Sequence, residues 1–146
     1  MRISKKSEYA LRALVVFARN PRSYQIQELS SKENIPVKFL EQILLTLRHG
    51  GLLTSKRGVG GGYTLRVEAG RITVGEVIRI MDGPIAPVPC AGERTREKCT
   101  CPDPRTCALR IFMTGVREQL GSVLDGCTIE EMARLSPDQS GLAFEI

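Results

Sequence analysis

Apolar residues recur at helical spacing through the first third of the chain. Between Ser4 and Asn20 the side chains of Tyr9, Ala10, Ala13, Leu14, Val16 and Phe17 share one face, and Pro21 closes the run. A shorter segment from Ile26 to Glu33 turns Ile26 and Leu29 inward, and Asn34-Ile35 makes a tight connection. A third helix is predicted from Pro36, which suits a first helical position because its missing N–H costs nothing there, and it stops at Gly50-Gly51. Its buried stripe is Phe39, Leu40, Ile43, Leu44 and Leu47, which leaves Lys38, Glu41, Gln42 and Thr46 outside.

The pattern then changes to strands. Leu52 to Lys56 and Tyr63 to Val67 read as two strands joined by a glycine-rich tip from Arg57 to Gly62. Two helices with a short turn, the second polar outside, have the form of a helix-turn-helix, in which the outward side chains of the second helix reach base edges in the major groove. The hairpin fits a wing, with Lys56 and Arg57 placed to meet phosphates or the minor groove. The consecutive glycines Gly60, Gly61 and Gly62 resemble a phosphate cradle, but no Lys-Ser or Lys-Thr and no helix follow, which excludes a nucleotide P-loop. Plain turn glycines are the alternative.

Thr73 and Glu76 form a capping box that opens a helix over 74–82, with Gly83 as its C-cap and Val77, Ile78 and Met81 packing on the winged domain. The proline-rich stretch Pro84 to Pro89 is an extended connector. Asp103-Pro104 is the expected start of a longer helix running to about Leu124, with the stripe Leu109, Phe112, Met113, Val116, Leu120, Val123 and Leu124. That stripe suits either pairing with a second copy or an internal core. A second box, Thr128 with Glu131, opens a closing helix through Leu135 that Pro137 ends. The expected class is therefore mainly α with a small β-hairpin wing: a winged helix-turn-helix domain over 1–83, a connector and cysteine loop over 84–106, a dimerisation helix and closing helix over 107–135, and a tail over 136–146.

Charge sharpens this picture. Residues 1–82 carry 14 Lys plus Arg against 7 Asp plus Glu, whereas residues 83–146 carry 7 against 9. The basic excess lies in the half that carries the helix-turn-helix, which points to double-stranded DNA as partner. No apolar run approaches the roughly 20 residues needed to span a bilayer, so no membrane role and a cytoplasmic setting are expected. With a single histidine, His49, and no nucleophile–base constellation, the chain does not read as an enzyme.

Four of the five cysteines, Cys90, Cys99, Cys101 and Cys107, fall in one stretch of Gly, Pro, Thr and charged residues. In a reducing compartment such thiols are ligands or sensors rather than structural disulfides. Soft thiolates suit an iron–sulfur core, and a flexible loop lets several converge. Zinc is the alternative cofactor, although its structural sites pair cysteines more closely than the C-x8-C-x-C-x5-C spacing found here. A thiol switch needs only two cysteines, and Cys99 and Cys101 lie beside Arg96 and Lys98. Cys127 stands apart as a spectator.

The opening MRISKKSEYALRAL, the block PVKFLEQILLTLRHGGLLTSKRGVGGGYTL, ITVGEVI and the cysteine loop resemble the Rrf2 family of bacterial winged-helix transcriptional regulators, which includes iron–sulfur and nitric-oxide sensors. The resemblance implies a homodimeric DNA-binding regulator whose operator binding is controlled by a cluster in the cysteine loop, a 2Fe–2S cluster ranking ahead of a 4Fe–4S one. It assigns Glu41 and Gln42 to base reading, Arg57 to the minor groove, and Gly60, Gly61, Gly62 and Tyr63 to the wing, while Lys38 and Pro36 stand where relatives often carry serine. The family's cysteine spacing survives only between Cys101 and Cys107; Thr95 and Arg110 replace a cysteine and a histidine. Metal ligation is accordingly expected from Cys101 and Cys107, then Cys90, with Cys99 or Glu8 of a second copy in the fourth position.

Overall fold

Capping side chains set the limits of the first helices. In the computed structural model, which describes residues 3–93 and 99–135, helix α1 spans Lys5–Arg19. Ser4 is its N-cap and takes the Ser7 N–H on its hydroxyl at 3.1 Å, and Asn20 ends it. Helix α2, Ile26–Glu33, stops where Asn34 enters the left-handed region at φ 51°, a conformation that Asn tolerates better than most residues. The Ser30 hydroxyl donates to the Ile35 carbonyl at 2.6 Å and fixes the turn into α3, Val37–His49.

The hairpin of β1, Leu53–Lys56, and β2, Gly62–Leu65, is antiparallel, in register from Leu53 opposite Leu65 to Lys56 opposite Gly62. After a short 3-10 turn at Ala69–Arg71 come α4, Val74–Asp82, a second such turn at Pro89–Ala91, the long α5, Ala108–Asp125, and α6, Ile129–Arg134. The architecture is mainly helical with a two-stranded wing, as the sequence pattern predicts. No described helix is long and apolar enough to cross a membrane.

One core joins these elements. Ala10, Ala13, Leu14 and Phe17 of α1 are fully buried, as are Leu29, Leu40, Leu44, Leu47, Ile72, Val77 and Ile129. Helix α6 is part of this core: the Ile129 N–H donates to the Ile72 carbonyl at 2.8 Å, and Arg19 of α1 donates to the Ala133 carbonyl at 3.0 Å. The start of α1 is held to the end of α4 by Asp82, whose carboxylate accepts from the Ser4 N–H at 3.1 Å, the Ser7 hydroxyl at 2.7 Å and the Ser4 hydroxyl. Burial pushes that carboxyl up, but the Ser4 and Ser7 hydroxyls outweigh it and hold it below its ordinary value.

Several predicted boundaries move. Pro36 is the N-cap of α3 rather than its first residue; at ψ 132° it is extended, and its carbonyl accepts the Phe39 and Leu40 N–H groups. Helix α5 begins at Ala108, not at Asp103-Pro104, because the Asp103 carboxylate takes the Arg105 N–H at 2.9 Å and closes a local turn that competes with helix. Of the two capping boxes, Thr128 and Glu131 complete theirs, whereas at α4 Thr73 alone caps, accepting the Glu76 N–H. The strands are shorter than predicted, with Leu52 and Val67 outside them. Pro137 and the tail over 136–146 lie outside the described residues, as does the 94–98 segment with Thr95, Arg96 and Lys98.

The wing's base imposes a glycine. At Gly62 φ is 143°, and a Cβ there would stand 2.5 Å from the Tyr24 carbonyl oxygen; at Gly58 φ is 94° with nothing within 4 Å. Gly62→Ala should therefore destabilise the chain by about 1–3 kcal/mol and Gly58→Ala by less, read as a shift in the urea midpoint of each variant.

Candidate nucleic-acid interface and cysteine cluster

The outer face of α3 is held by its inner one. Leu40, Ile43, Leu44 and Leu47 are buried, which leaves Lys38, Glu41, Gln42 and Thr46 exposed along the opposite side. Val37, in the first turn, is 41% exposed and shares that surface. Arg48 ties the helix end to the hairpin by donating to the Ser55 hydroxyl at 3.0 Å.

The hairpin in turn is pinned through Tyr24, which the sequence reading overlooked. Its N–H donates to the Tyr63 carbonyl at 2.9 Å and its carbonyl accepts the Tyr63 N–H at 2.8 Å, which makes Tyr24 a one-residue extension of the sheet. The Tyr24 ring meets Phe17 edge-on at 5.3 Å, and the Arg22 guanidinium lies 3.8 Å over it. The only sequence signal for this was an aromatic residue placed between Pro21 and the next helix.

At the wing's tip the Gly61 N–H donates to the Gly58 carbonyl at 3.0 Å, and Gly58 and Gly60 have positive φ. A Cβ on Gly61 would stand 2.5 Å from the Lys56 carbonyl oxygen. Turn geometry thus accounts for these glycines by itself. The tip presents Lys56 and Arg57, with Val59 fully exposed between the glycines. Among the described residues Arg12, Arg22 and Arg79 are engaged in ion pairs, whereas Lys38, Lys56 and Arg57 are in none. Lys38, Lys56 and Arg57 are thus exposed cations on α3 and the wing. His49 is the exposed last residue of α3.

The predicted cysteine site is only partly assembled. Cys101 and Cys107 have their sulfur atoms 3.7 Å apart, and the Cys101 N–H donates to the Cys99 sulfur at 3.4 Å. Cys90 lies on the 3-10 turn at Pro89–Ala91 and makes neither contact. Glu8 pairs with Lys5 at 2.7 Å and Arg12 at 3.6 Å, and the Lys5 bond holds its carboxyl below the usual range. All five cysteines are free thiols, and among the described residues no three His, Cys, Asp or Glu side chains converge closely enough to ligate one ion.

The two close thiols differ in character. Hydrogen bonding from Cys99 and then Cys107, together with their charge, pushes the Cys101 thiol up to about 12. Cys107 is the N-cap of α5; its sulfur makes no capping hydrogen bond, but the Arg110 N–H directed at it, followed by Cys101 and the Leu109 N–H, lowers its pKa. Arg110 itself donates to the Pro104 carbonyl at 3.2 Å and closes the 101–107 turn. Cys101 and Cys107 are close soft donors with the Cys99 sulfur beside the Cys101 amide, and sulfur donors of this kind suit iron or zinc in chemistry. Cys127 is half-buried and has no part in the group; burial pushes its thiol up, and its carbonyl accepts the Val74 N–H at 2.9 Å.

The helix-turn-helix and the glycine-tipped hairpin on one helical core make a winged helix-turn-helix fold. The Rrf2 family, described as iron-dependent transcriptional regulators, matches residues 3–135, and the chain belongs to it. An rrf2-like regulator of Rhodobacter capsulatus is 35% identical over 136 residues, covering 89% of this chain and 91% of the relative. The regulator IscR of Cronobacter sakazakii is 33% identical, with 90% and 80% covered. The structure of CymR, the global cysteine regulator of Bacillus subtilis, superposes with a TM-score of 0.73 at 32% identity and covers 91% of this chain and 96% of its own.

The thiol asymmetry makes a chemical prediction. At neutral pH iodoacetamide should label Cys107 well ahead of Cys101, and the gap should close as pH rises toward 12, followed by peptide mass spectrometry of the reduced protein.

Proposed function

We propose that the chain is a homodimeric regulator whose operator binding is controlled by an iron–sulfur cluster held in the cysteine loop, in response to iron, redox state or nitric oxide. The observation that carries this reading is the gathering of Cys99, Cys101 and Cys107 at the N-terminus of α5, within a chain whose relatives include IscR. Cys101 and Cys107 would be the first ligands, Cys90 the third, and Cys99 or Glu8 of a second copy the fourth. When bound, the cluster would supply a redox- and ligand-sensitive charge centre whose loss leaves the thiolates unbalanced. A 2Fe–2S cluster is the first candidate and zinc the alternative cofactor.

On DNA, α3 would enter the major groove with Glu41 accepting from a cytosine amino group and Gln42 bonding a neighbouring base, while Lys38 contacts the backbone. Arg57 would enter the minor groove, with Lys56 and the Gly60–Tyr63 backbone against phosphates. This work is done where operator DNA is found, in the cytoplasm.

The second copy would pack on α5. That helix has no fully buried residue, and Leu109, Ile111, Phe112, Val116 and Val123 are exposed while Leu120 and Leu124 pack toward the core. Such an apolar stripe along 18 residues suits a coiled pairing about a two-fold axis, which would set two α3 helices about one DNA turn apart.

A thiol switch is the second reading, favoured by the 3.7 Å separation of Cys101 and Cys107 and by the likeness to a cysteine regulator. Oxidation of both thiols to a disulfide would need an external two-electron oxidant such as peroxide, which leaves as water.

Two outcomes are expected. Anaerobic purification should give a coloured protein with matching iron and acid-labile sulfide and little zinc, with colour lost in Cys101→Ser and Cys107→Ser but kept in Cys127→Ser; a colourless preparation with intact thiols would favour the switch. Phe112→Asp should move the protein from dimer to monomer in sedimentation velocity, and a variant that stays dimeric would remove α5 from the interface.

A further inference from the structure

One arginine joins α4, the segment after Cys90 and the end of α5. Arg79, in the last turn of α4, donates from Nε and Nη2 to the Glu93 carboxylate at 3.1, 3.0 and 2.6 Å, and from Nη1 and Nη2 to the Asp125 carboxylate at 2.6 and 3.0 Å. Glu93 follows Cys90 by three residues, and Asp125 is the last residue of α5, the helix that Cys107 opens. From α5, Arg117 donates to the Ala91 and Gly92 carbonyls at 3.4 and 3.1 Å, so the segment after Cys90 is gripped from both helices.

The site is shaped for this pairing. A Cβ on Gly75, one turn before Arg79, would stand 2.0 Å from the Asp125 carboxylate and 2.8 Å from the Arg79 Nη1. Only glycine lets the pair lie against α4. Next to Arg79, Ile80 closes on the end of α3, where a Cβ on Gly50 would meet the Ile80 Cδ1 at 3.0 Å. Helix α4 thus packs directly on α3, which gives a shift of α4 a route to the recognition helix.

We infer that Arg79 is the positioning residue that couples the state of the cysteine segment to the placement of α3, by binding Glu93 and Asp125 at once. This rests on the reading of the cysteine loop as the sensor. A planar guanidinium can bind two carboxylates along two edges; an ammonium is a point charge and cannot hold both in fixed geometry. Arg79 touches neither a thiol nor the DNA-facing surface, so its removal leaves both ends of the coupling in place.

The test compares wild type, Arg79→Lys, Arg79→Ala and Glu93→Gln, each loaded anaerobically with ferrous iron and sulfide and then stripped with a chelator. The probe is a duplex that the wild type selects from a randomised library. Wild type should bind it with affinities at least about tenfold apart in the two states. In Arg79→Lys and Glu93→Gln that ratio should fall to within about twofold of unity, with visible absorbance kept. Hydrogen exchange of the α3 and α4 amides should change on loading in wild type and not in the variants, a readout that a purely structural role would leave unmoved. Full ratio and full exchange response in Glu93→Gln and Arg79→Lys would overturn the inference, and Glu93→Gln decides if Arg79→Ala fails to fold. Equal affinity of both wild-type states would overturn the sensor reading and the coupling with it, and is told apart because it shows in wild type alone.

Discussion

The apolar stripe of α1 is the constraint on which the rest of the chain depends. Ala10, Ala13, Leu14 and Phe17 are fully excluded from water, and α3, α4 and α6 all pack around them. At roughly 25 cal/mol per Å² of apolar surface, burial on this scale outweighs any single polar contact in the chain. It fixes three things together: which face of α3 is left for a partner, where α4 ends against Ser4 and Ser7, and where α6 closes the chain. Ala10 and Ala13 are fully buried, so enlarging either would overpack this core.

Polar groups then divide the molecule. Several arginines are matched, as with Arg12 beside Glu33, Arg22 beside Glu28, and Arg79 between Glu93 and Asp125. Lys38, Lys56 and Arg57, on α3 and the wing, are exposed and are in none of the ion pairs among the described residues. The close thiols differ in character. Cys107 gains from the amides at the start of α5, while its neighbours push the Cys101 thiol up. Iron, zinc or a disulfide would each engage the close pair Cys101 and Cys107 in a different way.

The elements that follow from local pattern were legible in the sequence. Periodicity placed α1 to α4 within a residue or two, and the exposed set Lys38, Glu41 and Gln42 fell where the spacing required. Boundaries set by competition were misread: Pro36 suits a cap as well as a first turn, and Asp103 can satisfy a turn's N–H as readily as a helix's. Tyr24 was missed because its two-residue pairing with Tyr63 leaves no period to detect. Arg79 was beyond reach for another reason, since its partners lie 14 and 46 residues away and no local pattern encodes such a meeting. Of the expected ligands, Cys101 and Cys107, whose spacing the chain keeps, come together in the fold, whereas at the other positions the chain departs from the family spacing.

The central claim is that the condition of the cysteine loop sets affinity for DNA, and one measurement addresses it directly. The affinity of anaerobically purified protein for its selected duplex should be measured by fluorescence anisotropy before and after iron is removed, alongside Cys101→Ser. The account predicts that wild type changes affinity by at least about tenfold while Cys101→Ser stays fixed at the stripped value. A wild-type affinity that is the same with and without iron would contradict it.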